Sequence, residues 1–93
     1  MNVSIQCFGQ LRTITKERYV KLKVEENSSI LHVITCFKDK FGDKVERLLF
    51  NDGKLREFYF IQIDNTNIDI DKLDEIIVSN DQIISIIPFV AGG

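Results

Sequence analysis

Apolar and polar residues alternate from Met1 to Phe8, with Val3, Ile5 and Cys7 on one side and Asn2, Ser4 and Gln6 on the other. A period of two predicts a half-buried strand. Gly9-Gln10 interrupts the alternation, and Leu11 to Thr15 leads into a turn. Alternation resumes from Arg18 to Val24, with Val20, Leu22 and Val24 inward and Tyr19, Lys21 and Lys23 outward. Two such runs joined by a short polar link predict an antiparallel hairpin. The period then changes. After Glu25-Glu26-Asn27, Ser28 or Ser29 offers a side-chain cap, and Ile30, Val33, Ile34, Phe37 and Phe41 form a helical stripe. Gly42 ends or interrupts this helix, Val45, Leu48, Leu49 and Phe50 predict one more short helical segment, and Asn51-Asp52-Gly53 is a stop.

The second half reads as strands. Leu55 to Ile63 is rich in aromatic and β-branched residues, Asp64 to Asn67 is a polar turn, and Ile68-Asp69-Ile70 is a short edge or connector. Asp71 to Glu75 predicts a brief helical turn, and Ser79 to Gln82 a second tight turn. Ile83 to Ile87 is apolar on both faces, which predicts a central strand. Pro88 has no N–H and marks the expected end of ladder bonding. The order β-β-α-β-(β)-β places the last strand parallel to the first, with the helix in the crossover. The expected fold is therefore α+β, a mixed sheet packed on one main helix in the ubiquitin-like β-grasp layout. Its domain would span residues 1–88, and residues 89–93 would form a flexible Gly-Gly tail.

Composition narrows the function classes. A chain of 93 residues predicts one domain, and 44% hydrophobic with 28% charged residues is ordinary for a globular protein. A net charge of −2 leaves no basic excess for a nucleic-acid partner. No apolar run approaches membrane-spanning length, and no basic-plus-apolar leader opens the chain, so a cytoplasmic protein without a membrane partner is the expectation. The two cysteines fit reduced thiols there.

Catalytic groups are sparse. His32 sits off the helical stripe with no visible partner motif, and an exposed helix histidine accounts for it better than a general base. Cys7 and Cys36 read as small buried hydrophobes without metal-ligand spacing. Asp69, Asp71, Asp74 and Glu75 lack the EF-hand spacing and its central glycine, so no metal site is expected. Gly9 and Gly53 are turn glycines outside any phosphate-cradling motif. Phe58-Tyr59-Phe60 places at least one aromatic ring outward; an exposed interface patch and a two-sided core are equally compatible with the pattern.

The ending Pro88-Phe89-Val90-Ala91-Gly92-Gly93 stands apart. Gly-Gly is entropically expensive to order, so stability gives little reason for it. It forms a thread without side chains, tipped by an α-carboxylate, that fits a narrow slot in an enzyme. Extended, a segment of this length reaches roughly 20 Å. Pro88, Phe89, Val90, Ala91 and Gly92 are the candidate partner-binding residues, and Gly93 is the candidate reacting one.

Three stretches resemble the sulfur-carrier family of the β-grasp superfamily, most closely the small subunit of molybdopterin synthase (MoaD and ThiS type). Phe8-Gly9-Gln10-Leu11-Arg12 resembles its aromatic-small-x-aliphatic-Arg stretch. Ser79-Asn80-Asp81-Gln82-Ile83 lies where the family has an acidic-Gly-Asp turn. Ile87 to Gly93 resembles the Pro-Pro-x-x-Gly-Gly ending, with Phe89 in place of the second proline. The turn glycine is absent here, and Leu55 to Asn67 is longer and more aromatic than the family pattern. The resemblance implies a non-catalytic carrier subunit that binds no cofactor itself. An E1-like adenylyltransferase would use ATP to adenylate Gly93, and sulfur would displace AMP to leave a thiocarboxylate. The large molybdopterin synthase subunit, or another sulfur-acceptor enzyme, would take that sulfur. A thiamine-pathway carrier, a ubiquitin-like modifier joined to lysines through Gly93, and a plain interaction domain are the competing readings.

Overall fold

The computed structural model describes residues 1–89. The partner-binding candidates Val90, Ala91 and Gly92, and the reacting candidate Gly93, lie outside the described residues.

Strands β1 (Asn2–Cys7) and β2 (Tyr19–Lys23) pair antiparallel, with Ile5 opposite Val20 and Val3 opposite Leu22. The polar link between them is a helix, α1 (Gly9–Thr15), where the sequence pattern indicated only a turn. It is one short segment without a side-chain cap, held by burial of Leu11 and Thr15, one turn apart. Lys16 closes it in the left-handed region at φ 62°.

The main helix, α2 (Ile30–Phe41), begins where the Ser29 hydroxyl accepts the His32 N–H at 3.0 Å. Ile30, Val33, Ile34 and Phe37 are fully buried on the sheet. Lys38 and Lys40 occupy the last turn, where cations complement the helix dipole. Gly42, at φ 80°, stops α2 and admits α3 (Asp43–Leu49), which buries Val45 and Leu49. Phe50 does not extend α3. It opens a small hairpin of β3 (Phe50–Asn51) and β4 (Lys54–Leu55). Asp52 and Gly53 form its two-residue turn, both with positive φ, as a primed hairpin turn requires.

The single strand expected from Leu55 to Ile63 is therefore divided. Leu55 pairs with Phe50, and the sheet strand β5 starts only at Tyr59 (Tyr59–Ile63). Asp64 and Asn65 turn the chain with positive φ, and Thr66 and Asn67, read as turn residues, belong to edge strand β6 (Thr66–Ile68). A 3-10 turn covers Ile70–Lys72, with the Asp69 carboxylate accepting the Asp71 N–H at 2.9 Å. The final strand is β7 (Ile83–Pro88).

The five-stranded sheet runs β2-β1-β7-β5-β6. As expected, β7 is central, parallel to β1 and antiparallel to β5. Its inner face, including Ile5, Cys7, Val20, Ile61, Ile84 and Ile86, packs on α2 in one core. The outer face is not apolar throughout. Tyr19, Gln6, Ser85, Gln62 and Asn67 stand in one row across all five strands. Ser85 Oγ donates to Gln6 Oε1 at 2.8 Å, Gln6 Nε2 donates to Tyr19 Oη at 3.2 Å, and Gln62 Nε2 donates to Asn67 Oδ1 at 2.9 Å. Ser85 is only 2% exposed, so this partner is what makes its burial tolerable.

Phe37, on the buried face of α2, is wholly buried and is the largest of the fully buried side chains. Phe37→Ala is expected to lower unfolding stability by about 3–5 kcal/mol, through lost transfer energy plus a cavity. Urea denaturation with an unchanged m-value is the check.

Candidate functional site

The C-terminal end of β7 delivers the chain to the candidate segment, and its geometry is built from three neighbours. Pro88 lies opposite Tyr59 as the last residue of the β5–β7 ladder, and backbone bonding toward the β5 side continues for one residue beyond it. The reason is directional. The next residue, Phe89, donates its N–H to the Phe58 carbonyl at 2.7 Å, so the Pro88 nitrogen faces the β1 side. There the last β1 residue paired with β7 is Cys7, opposite Ile86, and Pro88 is not required to donate. On the inner side, a Cβ at Gly9 would approach Pro88 Cγ to 3.7 Å, and Gly9 itself has φ +56°. The first turn of α1 thus lies against the root of the segment, at a residue whose backbone conformation favours glycine.

The Tyr59 hydroxyl donates to the Leu48 carbonyl at 3.0 Å, tying β5 to the end of α3. Burial pushes the Tyr59 phenol pKa up, above the ordinary phenol value. On the outer face the register places Phe60 opposite Ile87, and Phe58 next to the backbone of Phe89. The Phe60 and Phe89 rings meet at 4.2 Å between centroids, tilted by 47°. This is a diagonal cross-strand aromatic pair. Phe58, Phe60 and Phe89 remain 58%, 47% and 50% exposed, so the aromatic run makes a surface cluster beside the candidate segment.

Before β7 the chain turns through Ser79 to Gln82. Asp81 takes φ 68° where the family pattern has glycine, a conformation that Asp tolerates better than most residues. Asn80 Oδ1 accepts the Asn2 N–H at 2.8 Å, and Asp81 N–H donates to the Asn2 carbonyl at 2.7 Å. The start of β7 is therefore tied to the start of β1.

Among the described residues no other cluster gathers chemistry. Among the described residues no group of three potential metal ligands occurs, and no helix is long and apolar enough to cross a membrane. The Asp69 carboxylate serves the 3-10 turn. His32 has a neighbour that the sequence reading missed: Cys36 Sγ lies 3.5 Å from its Nε2, one helical turn away. The i to i+4 spacing was the available signal. Burial and the Asp39 and Glu25 carboxylates nevertheless push the Cys36 thiol pKa up, the opposite of an activated thiolate. Burial likewise raises the pKa of Cys7, whose Sγ is 3.8 Å from the Ile5 carbonyl oxygen. The shallow grooves around the β3–β4 hairpin, lined by Leu31, Leu55, Ile70 and Leu73 on one side, hold no nucleophile paired with a base.

The thiols make a direct test. Folding favours the neutral Cys7 thiol, so its contribution to stability is complete below the ordinary thiol pKa and is lost as pH rises through the folded value. Iodoacetamide at pH 7 is expected to modify Cys36 slowly and to leave Cys7 untouched until denaturant is added, read by peptide mass mapping.

The comparisons agree with this geometry. A family profile described as the ThiS family matches residues 5–93. No curated protein matches the chain. Among solved structures, SAMP1 from Haloferax volcanii superposes with a TM-score of 0.82 at 15% identity, covering 100% of both chains. The Amycolatopsis orientalis BexX/CysO complex contains a chain with a TM-score of 0.77 at 24% identity, covering 98% of this chain and 99% of that one. The complex of subunits 1 and 2 of molybdopterin-converting factor from Helicobacter pylori 26695 gives 0.63 at 18% identity, covering 100% of both. These structures share the ubiquitin-like β-grasp fold. With the profile spanning nearly the whole sequence, the chain belongs to the ThiS family of β-grasp sulfur carriers.

Proposed function

We propose that this chain carries sulfur on Gly93 for molybdopterin biosynthesis. The observation that carries the reading is the family match extending through Gly93, on a fold whose central strand leads directly to that segment. In the first step a Gly93 carboxylate oxygen attacks the α-phosphate of ATP on an E1-like adenylyltransferase. Pyrophosphate leaves, and an acyl adenylate forms. A sulfide-equivalent nucleophile then adds to the carbonyl carbon, and AMP departs with the bonding pair. The product is a thiocarboxylate. A free carboxylate is a poor electrophile, and the mixed anhydride supplies the leaving group, so the groups that handle ATP sit on the partner.

This chain's part is presentation. Pro88 and Phe89 set the direction of departure, and Val90, Ala91 and Gly92 are the segment an enclosing slot would contact. Positioning of this kind lowers a barrier by fixing reactants in a near-attack arrangement. The likeness to a molybdopterin-converting factor complex supports a large synthase subunit as the acceptor. The likeness to SAMP1 supports a second reading, in which a lysine amine on another protein attacks the same acyl adenylate and Gly93 becomes an amide.

Deleting Gly93, or appending one Leu after it, is expected to abolish ATP–pyrophosphate exchange with the cognate adenylating enzyme. The far-UV spectrum and thermal midpoint should stay unchanged, since the core ends before this segment. Normal exchange by either variant contradicts the proposal.

A further inference from the structure

The sequence pattern puts the tail at residues 89–93, and the six residues from Pro88 onward span roughly 20 Å when extended. The structure holds one residue more. Phe89 is bonded through its N–H to the Phe58 carbonyl at 2.7 Å, and its ring lies on Phe60 at 4.2 Å. Pro88 behind it is paired with Tyr59 and lies beside Gly9. Four residues, Val90 to Gly93, follow this fixed point. Their fully extended span is about 13–14 Å.

We infer that the Phe60–Phe89 pair is a positioning clasp, which fixes the point from which an adenylating enzyme reaches Gly93. The inference rests on the carrier reading above. Its physical content is entropic. A carrier whose Phe89 is already held loses less backbone freedom when the following residues enter a slot than one that must order Phe89 at the same time. The clasp therefore acts on capture of the segment. Once the segment is seated, the carboxylate occupies the same place with or without the clasp, and the chemical step is unaffected. Phe60 is well suited to this role. It projects from the outer face, 47% exposed and outside the core cluster, so it can be changed with little effect on the fold. Phe89 stands where the family pattern has a second proline. A held aromatic ring does by cross-strand contact what a proline does by restricting φ.

The test combines amide exchange with kinetics, using the full chain and the E1-like adenylating enzyme of the same genome. In the wild type, the Phe89 amide hydrogen is expected to exchange more slowly than in an unstructured peptide. Phe60→Ala should lose that protection while the thermal midpoint stays near the wild-type value. In ATP–pyrophosphate exchange its KM for the carrier should rise about tenfold, the equivalent of ordering one extra backbone residue. Its kcat should stay within about twofold. Phe60→Tyr, which keeps the ring, should restore both protection and KM.

Rapid Phe89 exchange in the wild type overturns the clasp. So does an unchanged KM in Phe60→Ala after protection is lost. A raised KM with protection intact also overturns it, because Phe60 would then be touching the enzyme directly. Wild-type protein that shows Phe89 protection but is never adenylated rejects the carrier reading instead, and leaves the clasp only as an anchor without that role.

Discussion

The parallel ladder between β1 and β7 is the constraint on which the rest of the fold depends. It sets Ile5 beside Ile84 and Cys7 beside Ile86, and places the last strand between β1 and β5. A parallel pair cannot be closed by a tight turn, so the connection must cross over one face of the sheet. Helix α2 lies in that crossover and covers the inner face with Ile30, Val33, Ile34 and Phe37. The same pairing determines where the chain comes out. β1 is last paired with β7 at Cys7, and beyond it the chain is held on one side only, by β5 as far as Pro88 and then by the Phe58 carbonyl at Phe89. The departing segment is thus delivered from the middle of a rigid sheet, a better platform for positioning than a loop.

Much of this layout was legible in the sequence. The period-two runs around Ile5 and Leu22 gave β1 and β2, and the Ile30-to-Phe37 stripe gave α2 with its Ser29 cap. The apolar run from Ile83 gave the central strand. The misses have local causes. Helix α1 is too short to show a period and lacks a capping side chain, so its tertiary contacts through Leu11 decide it. The break between β4 and β5 is invisible because no glycine or proline separates Leu55 from the aromatic run at Phe58 to Phe60. Only the register, Leu55 with Phe50 and Tyr59 with Pro88, tells them apart. Ser85 was hidden among isoleucines, yet its hydroxyl anchors the polar row of the outer face.

The site divides in the same way. The residue types of the C-terminal segment and their family resemblance could be read directly. What could not be read was that Phe89, just past β7, is still bonded to the Phe58 carbonyl. Proline at position 88 marks the end of the strand, and only the alternation of N–H directions shows that one more backbone bond, from Phe89, follows it. The pattern of the aromatic run at Phe58 to Phe60 fits an interface and a core equally well. The structure divides it: Tyr59 points inward to Leu48, while Phe58 and Phe60 lie on the surface with Phe89.

The measurement that bears most directly on the account is the intact mass of the protein after incubation with an E1-like enzyme, ATP and a sulfur donor, followed by sequencing of the C-terminal peptide. The account predicts replacement of one oxygen by sulfur, located on Gly93 and dependent on ATP. An unchanged mass with an enzyme that activates other carriers, or sulfur found on Cys7 or Cys36 in place of Gly93, would contradict it.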